Sequence, residues 1–138
     1  MRGIRLEDEL LHIQQFLAAA EIDFTLEGNP KLTNTSLITE NVLSMCIKEA
    51  VTNVVKHSGA QSCSILIKPS RTDLIIQVKD DGTGIPGNDL YFKGHGLQGM
   101  RERLEFVNGC MDIVRDGGTT IVIKVPNAFK HLEQEVTL

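Results

Sequence analysis

Two pairs of β-branched runs, each joined by a short turn, limit the folds open to this chain more than any other feature. The runs at 63–69 (CSILIKP) and 73–80 (DLIIQVKD) are separated by residues 70–72 alone. A second pair, CMDIVR and TTIVIKVP, flanks the turn signal Asp116-Gly117-Gly118. The sequence therefore predicts two β-hairpins.

Segments of helical periodicity alternate with these hairpins. Apolar residues recur at helical spacing in three segments, and a short strand pattern lies between the first two. The helical segments are 5–20, about 36–57 and 97–108, and the strand is 22–28. Ser36 is expected to be the N-cap of the second helix. The order α-β-α-β-β-loop-α-β-β predicts an α+β fold, a two-layer α/β sandwich with a mixed sheet of about five strands and three helices on one face.

The length of 138 residues fits one domain, to which we assign residues 1–128, with a C-terminal tail at 129–138. The net charge of -4 and the absence of a basic run argue against nucleic acid as a principal partner. No apolar run approaches the ~20 residues of a membrane span, and no signal peptide is visible. Cys46, Cys63 and Cys110 lack CxxC spacing, so we expect buried or half-buried free thiols in a reducing cytosol.

A polar stripe runs along the second predicted helix. Glu49, Asn53 and His57 stand at i, i+4 and i+8, with Lys56 three residues beyond Asn53. Such a line of side chains is also typical of a solvated helix surface. An asparagine oxygen is, however, a hard ligand that suits Mg²⁺, and a carboxylate one turn earlier can accept a proton or hold a water.

Residues 79–100 hold six of the chain's twelve glycines. Residues 94–99 (GHGLQG) match GxGxxG, but they follow a loop instead of a buried strand, so a Rossmann unit is not predicted. Glycines at a helix start still expose backbone N–H groups that can bind phosphate. The pattern Asp80-x-Gly82-x-Gly84 directly follows a strand, where the carboxylate can accept a hydrogen bond from an amino group; a plain tight turn is the alternative.

Thr119 begins the last predicted strand, directly after Gly118. Its hydroxyl would reach the same pocket as Asp80 if the two strands are neighbours. The alternative is an ordinary threonine at the start of a hairpin strand.

These segments occur together and in one order. KEAVTNVVKH, DDGTG, GHGLQGM and GGTT followed by Pro126 resemble the nucleotide-binding boxes of the GHKL, or Bergerat-fold, ATPases, which include gyrase, MutL, chaperone ATPases and sensor histidine kinases. GLQGMRERLE is more narrowly similar to the ATP-binding catalytic domain of two-component sensor histidine kinases of the NarL-partnered class. The resemblance covers about residues 2–126.

The resemblance implies a role for each matching residue. Glu49 would be the catalytic residue that orients phosphoryl transfer, Asn53 the Mg²⁺ ligand, and Asp80 the acceptor of the adenine amino group. The segment 85–93 corresponds to a flexible ATP lid. The residues implied in binding ATP are Asn53, Lys56, His57, Asp80, Gly82, Gly84, Ile85, Lys93, Gly94, His95, Gly96, Leu97, Gly99, Met100 and Thr119.

The resemblance also implies cofactors and partners. ATP and Mg²⁺ would be required, and the γ-phosphoryl group would pass to a histidine on the kinase's own dimerisation and phosphoacceptor domain, with a response regulator downstream. No phosphoacceptor motif is present in the chain, which resembles a catalytic fragment, monomeric alone, of a homodimeric kinase. We expect it to be the cytoplasmic domain of a membrane-anchored bacterial protein.

Two other functions stay open at the level of sequence. One is a free-standing GHKL serine kinase of the anti-sigma-factor type, although GLQGMRERLE favours the histidine kinase. The other is a nucleotide-sensing or protein-interaction module without turnover, against which the presence of Glu49 and Asn53 argues.

Overall fold

The computed structural model describes residues 5–83 and 95–129, without the side chains of residues 95 and 96. The described residues form three α-helices and five strands. The helices are α1 (Leu6–Ala19), α2 (Leu37–Asn53) and α3 (His95–Glu105). The strands are β1 (Asp23–Glu27), β2 (Ser62–Pro69), β3 (Leu74–Asp80), β4 (Cys110–Arg115) and β5 (Thr119–Val125). One π-helical turn, Val54–Ser58, directly follows α2.

The strands form one open sheet in the order β1-β2-β3-β5-β4. β1 pairs with β2 in parallel, and the other three pairs are antiparallel. Both predicted hairpins are present, and β3 and β5 lie side by side at the centre of the sheet. The predicted two-layer sandwich with a mixed five-stranded sheet is therefore confirmed.

One face of the sheet carries the hydrophobic core. Successive strand residues point to opposite faces, and the buried positions of β2, β3 and β5 alternate accordingly. Ile65, Val78 and Ile121 form one buried row across these three strands, because each is the register partner of the next. The helices cover this face.

α2 is the central helix of the covering layer. Its predicted N-cap is confirmed, since the Ser36 hydroxyl oxygen accepts a hydrogen bond from the backbone N–H of Thr39 at 3.1 Å. Its buried residues include Leu43, Ile47 and Ala50, which are fully enclosed in the core. α2 packs against α1 on one flank and against α3 on the other.

At the edges of the fold, the structure departs from the sequence prediction for Cys110 and extends it at Phe129. Cys46 and Cys63 are buried free thiols, but Cys110 is exposed, so that part of the prediction was wrong. The reason is that Cys110 begins the edge strand β4 on the sheet face opposite Met111, which is buried in the core. Phe129, assigned to the tail from sequence, forms a bridge with Thr35; residues 130–138 lie outside the described residues.

Candidate functional site

Asp80 ends the central strand β3 and is almost fully buried, with 4% of its surface exposed. Its Oδ1 accepts a hydrogen bond from the backbone N–H of Gly82 at 2.8 Å. Its register partner on β5 is Thr119, which is also buried. The two strands are thus neighbours, which is the condition set by the sequence for Asp80 and Thr119 to share a pocket.

The Asp80 carboxyl lies in an unusual electrostatic environment. Burial raises its pKa, while hydrogen bonds from the backbone N–H groups of Gly82 and Thr119 oppose that change. The neighbouring charge of Asp81 raises the pKa further. A desolvated acceptor of this kind, at the open end of a strand, is suited to recognise an amino group of a ligand.

The turn before β5 brings bare backbone against Asp80. Gly118 has φ +152, and a Cβ built on it would lie 2.1 Å from the backbone carbonyl oxygen of Asp80. No side chain fits in that space, so glycine is required there for the two strand ends to meet.

The loop after β3 is joined to the end of the second helix. A Cβ at Gly82 would lie 2.2 Å from the carbonyl oxygen of Ser58, and the Thr83 N–H donates to that same oxygen at 3.1 Å. Ser58 is buried, and its hydroxyl donates to the carbonyl oxygen of Val54 at 2.7 Å. Gly82 therefore has a structural reason to be glycine besides any contact with a ligand.

The end of α2 differs from the continuous helix that the sequence predicts. Regular α-helix stops at Asn53, and residues 54–58 form a π-helical turn that closes at Gly59 in the left-handed conformation. A π-turn holds more residues than an α-turn, so His57 does not continue the line from Glu49 through Asn53 as predicted from an α-helical period. Asn53 is half-buried, whereas His57 is exposed.

α3 supplies the second glycine box. Leu97 and Met100, both predicted to bind ATP, are core residues, with 2% and 0% of their surface exposed. The Cys46 thiol of α2 donates a weak hydrogen bond to the carbonyl oxygen of Met100 at 3.8 Å. The helix begins at His95, so the backbone of residues 95 and 96 belongs to its first turn.

The structure describes some of the predicted site residues and not others. Gly84, Ile85, Lys93 and Gly94 lie outside the described residues, together with the rest of the predicted ATP lid at 85–93. The structure brings Asp80, Gly82 and Thr119 together and links them, through Ser58, to the helix end that carries Asn53 and Glu49. The ligand-binding roles of all these residues stay predictions.

Asp81 is a residue that the sequence reasoning missed. Its Oδ1 accepts hydrogen bonds from the backbone N–H groups of Gln61 and Ser62 at 2.8 and 2.9 Å. These bonds hold the pKa of Asp81 below its usual range. The Asp80-Asp81 doublet could have indicated this structural role. Neighbouring residues at a strand end point in opposite directions, so only one of the two carboxylates can face a pocket.

The donor groups present fit a magnesium ion only in part. Across residues 5–83 and 95–129 there is no group of three or more His, Cys, Asp or Glu side chains that could hold a metal. Mg²⁺ commonly uses one or two protein ligands together with substrate phosphates and water. An ion held by the Asn53 oxygen beside Glu49 would fit that chemistry.

The fold and these boxes define a class of protein. Residues 38–128 match the family described as Histidine kinase-, DNA gyrase B-, and HSP90-like ATPase. The chain belongs to this family, which confirms the resemblance inferred from the four sequence boxes.

The relatives narrow the class further. The chain is 51% identical over 130 residues to the sensor histidine kinase DesK of Bacillus subtilis (strain 168), covering 94% of this chain and 35% of that protein. It is 38% identical over 126 residues to the sensor histidine kinase YvfT of the same organism, covering 91% and 33%. The chain thus spans about a third of the length of these relatives. Across residues 5–83 and 95–129, none of the helices has the length and hydrophobicity that a membrane span requires.

Solved structures agree on the fold. The blue-light activated histidine kinase of Erythrobacter litoralis EL346 superposes with a TM-score of 0.74 at 21% identity, covering 98% of this chain and 44% of that one. The catalytic domain of histidine kinase ThkA gives a TM-score of 0.69 at 17% identity and covers 90% and 93%. The fold is therefore that of histidine kinase catalytic domains.

Proposed function

We propose that this chain binds Mg·ATP and donates the γ-phosphoryl group to a histidine on a separate dimerisation and phosphoacceptor domain. The observation that carries the proposal is the buried Asp80 carboxyl at the end of β3. It lies beside Thr119 and is joined through Gly82 to the end of α2. Membership of an ATPase family supports ATP as the nucleotide.

Asp80 would recognise the adenine. Its carboxyl is desolvated, accepts hydrogen bonds from the backbone N–H groups of Gly82 and Thr119, and keeps acceptor capacity for an exocyclic amino group. Thr119 is its direct cross-strand neighbour and would contribute a hydroxyl to the same pocket. Gly82 and Gly84 would line the base. A site built to accept from an amino group discriminates against purines that lack one.

Asn53 and Glu49 would serve the phosphate end. They stand one helical turn apart on α2, both half-buried, so Asn53 would hold the ion and Glu49 would supply a carboxylate near it. When bound, Mg²⁺ would neutralise the charge on the transferring phosphoryl group. Lys56 and His57, exposed on the π-turn, would contact phosphate oxygens. The chain's own work is mostly positioning.

The second glycine box would complete the phosphate site. Backbone N–H groups at the start of α3, around residues 94–96, would hold phosphate oxygens, as helix N-termini commonly do. Leu97 and Met100 would contribute indirectly, by anchoring α3 in the core. Gly99, which has no side chain, would leave room for the nucleotide beside the helix. Ile85, Lys93 and His95 complete the proposed nucleotide contacts.

The setting of this domain follows from its relatives. They are named sensor histidine kinases, and this chain matches about a third of each. We infer a homodimeric, membrane-anchored kinase with its own phosphoacceptor domain and a downstream response regulator, the catalytic domain lying in the cytoplasm. The same names support histidine as the acceptor over the serine of an anti-sigma-factor kinase.

A transfer assay tests the proposal. The chain is incubated with radiolabelled ATP and Mg²⁺, and with either a dimerisation domain carrying the acceptor histidine or a serine-bearing antagonist protein. We expect acid-labile label on the histidine domain, lost when its histidine is replaced by glutamine. Label on the serine protein alone, or on neither acceptor while ATP still binds, would contradict it.

A further inference from the structure

A groove of about 450 Å³ lies between α1 and α2. This volume is within the range of small-molecule sites, roughly 300–1,000 Å³. The groove is formed by one face of each helix, away from the contact of α2 with α3 at Cys46 and Met100. Its lining residues are Glu9, His12, Ile13, Phe16, Lys48, Val51 and Thr52.

The floor of the groove is apolar. Ile13 and Val51 are buried, with 2% and 1% of their surface exposed, and they close the groove toward the core. Phe16 stands at the side and leaves 43% of its surface exposed. A half-covered ring over an apolar floor offers contact area to an apolar group of a ligand.

The carboxyl of a largely buried glutamate lines the same groove. Glu9 is 6% exposed, and glutamate is rarely buried to this degree without a partner. Within the described ranges, no hydrogen bond or ion pair reaches its carboxyl. Burial raises the pKa of Glu9, while the charges of Lys48 and His12 oppose the change. Lys48 and His12 are thus near enough to act on the carboxyl electrostatically, although neither forms an ion pair with it.

The charges select among ligands. A simple cation would meet the Glu9 carboxylate but would also face the ammonium of Lys48. A simple anion would meet Lys48 but would lie against the Glu9 carboxylate. A molecule with both charges close together would satisfy both groups at once, and an apolar side chain would occupy the floor.

We propose that this groove binds a small zwitterion with an apolar side chain, the chemistry of a free apolar α-amino acid. The ammonium group donates to Glu9, the carboxylate pairs with Lys48, and the side chain packs on Ile13, Val51 and Phe16. The site is independent of the nucleotide site, although Lys48 and Thr52 directly precede Glu49 and Asn53 on α2.

Three probes of one shape separate the contributions. L-phenylalanine carries both charges, phenethylamine lacks the carboxylate, and hydrocinnamate lacks the ammonium group. Each is titrated into the 138-residue chain without nucleotide, with the methyl signals of Ile13 and Val51 followed by NMR. We expect saturable shifts for L-phenylalanine. Each single-charge probe should bind at least about tenfold more weakly than L-phenylalanine, because it loses one charge-assisted contact.

Two substitutions assign the charges. Glu9→Gln should abolish the advantage of L-phenylalanine over hydrocinnamate, and Lys48→Met should abolish its advantage over phenethylamine. Glu7→Gln, at an exposed position of the same helix, is the matched control and should bind all probes as the unchanged chain does. Unchanged methyl signals up to the solubility limit, equal affinity for the three probes, or wild-type discrimination in Glu9→Gln with its folded spectrum retained would overturn the proposal.

Discussion

Gly82 lies so close to Ser58 that no side chain fits between them. A Cβ built on Gly82 would lie 2.2 Å from the backbone carbonyl oxygen of Ser58. A backbone oxygen cannot move aside as the end of a flexible side chain would. This contact joins the loop after β3, which carries the adenine-side residues, to the π-turn after Asn53. The relative position of the two halves of the proposed site therefore depends on it.

Replacing Gly82 by alanine should destabilise the domain by about 1–3 kcal/mol, the usual cost of overpacking. Gly99→Ala is the matched control, because a Cβ there meets only the tip of Arg103 at 3.9 Å. In a helix interior, alanine should be neutral or stabilising by up to about 1 kcal/mol. Urea unfolding of the three proteins measures both effects; equal stability of the two variants would contradict the packing argument.

Glu40 fixes the start of α1 on α2. Its Oε1 accepts from the Leu6 N–H at 3.1 Å, and its Oε2 pairs with Arg5. Glu40 is buried, whereas the Arg5 side chain is half-exposed. Arg5 at the N-cap makes no side-chain capping bond. The cap of α1 is therefore Glu40, which lies 34 positions beyond Leu6 in the sequence.

Glu40→Ala should therefore cost about 1–3 kcal/mol, because a buried N–H loses its acceptor. Glu40→Gln keeps an acceptor for Leu6 and should cost less. Arg5→Gln removes only a half-exposed ion pair and should cost about 0–1 kcal/mol. Denaturant unfolding gives this order directly, and an Arg5 effect as large as that of Glu40→Ala would show that the ion pair, not the cap, holds the helix.

The three thiols should react very differently. Burial raises the pKa of Cys46 to about 11 and that of Cys63 to about 12, and only the thiolate is reactive. Cys110 is exposed. A thiol reagent at pH 8 should label one cysteine per folded chain, and none in Cys110→Ser. Rapid labelling of two or more sites in the native protein would place Cys46 or Cys63 nearer the surface.

Local signals in the sequence were sufficient for much of the fold. The hairpin turns, the Ser36 cap and the strand alternation each depend on a few neighbouring residues, and so the two-layer sandwich followed. The adjacency of Asp80 and Thr119 stayed a condition at the level of sequence, because two hairpins in one sheet can be ordered in more than one way; the pairing of β3 with β5 meets that condition.

What the sequence did not indicate depends on distant contacts. The cap by Glu40 joins residues far apart in the chain, and the approach of Gly82 to Ser58 requires the folded loop. No residue pattern in 54–58 distinguishes the π-turn from a continued α-helix. Ser58 and Gly59 indicate only where the turn ends. The exposure of Cys110 depends on which face of an edge strand it occupies.

Asn53 should account for the magnesium dependence of nucleotide binding. Asn53→Ala should bind an ATP analogue with the same affinity with or without Mg²⁺, since its amide oxygen is the proposed metal ligand. Asn53→Asp keeps an oxygen ligand and should retain a dependence. Calorimetric titration at several Mg²⁺ concentrations measures this. A full Mg²⁺ effect persisting in Asn53→Ala would place the ion on other groups.

The central claim is that the Asp80 carboxyl recognises the purine, and calorimetry with a non-hydrolysable ATP analogue tests it most directly. Asp80→Asn should weaken binding about tenfold to a hundredfold or more, because an amide in that buried position replaces an acceptor with a donor facing the adenine amino group. Asp81→Asn, the same change at the neighbouring exposed residue, should bind as the unchanged chain does. An Asp80→Asn protein that keeps its thermal unfolding midpoint and binds the analogue with unchanged affinity would contradict the assignment.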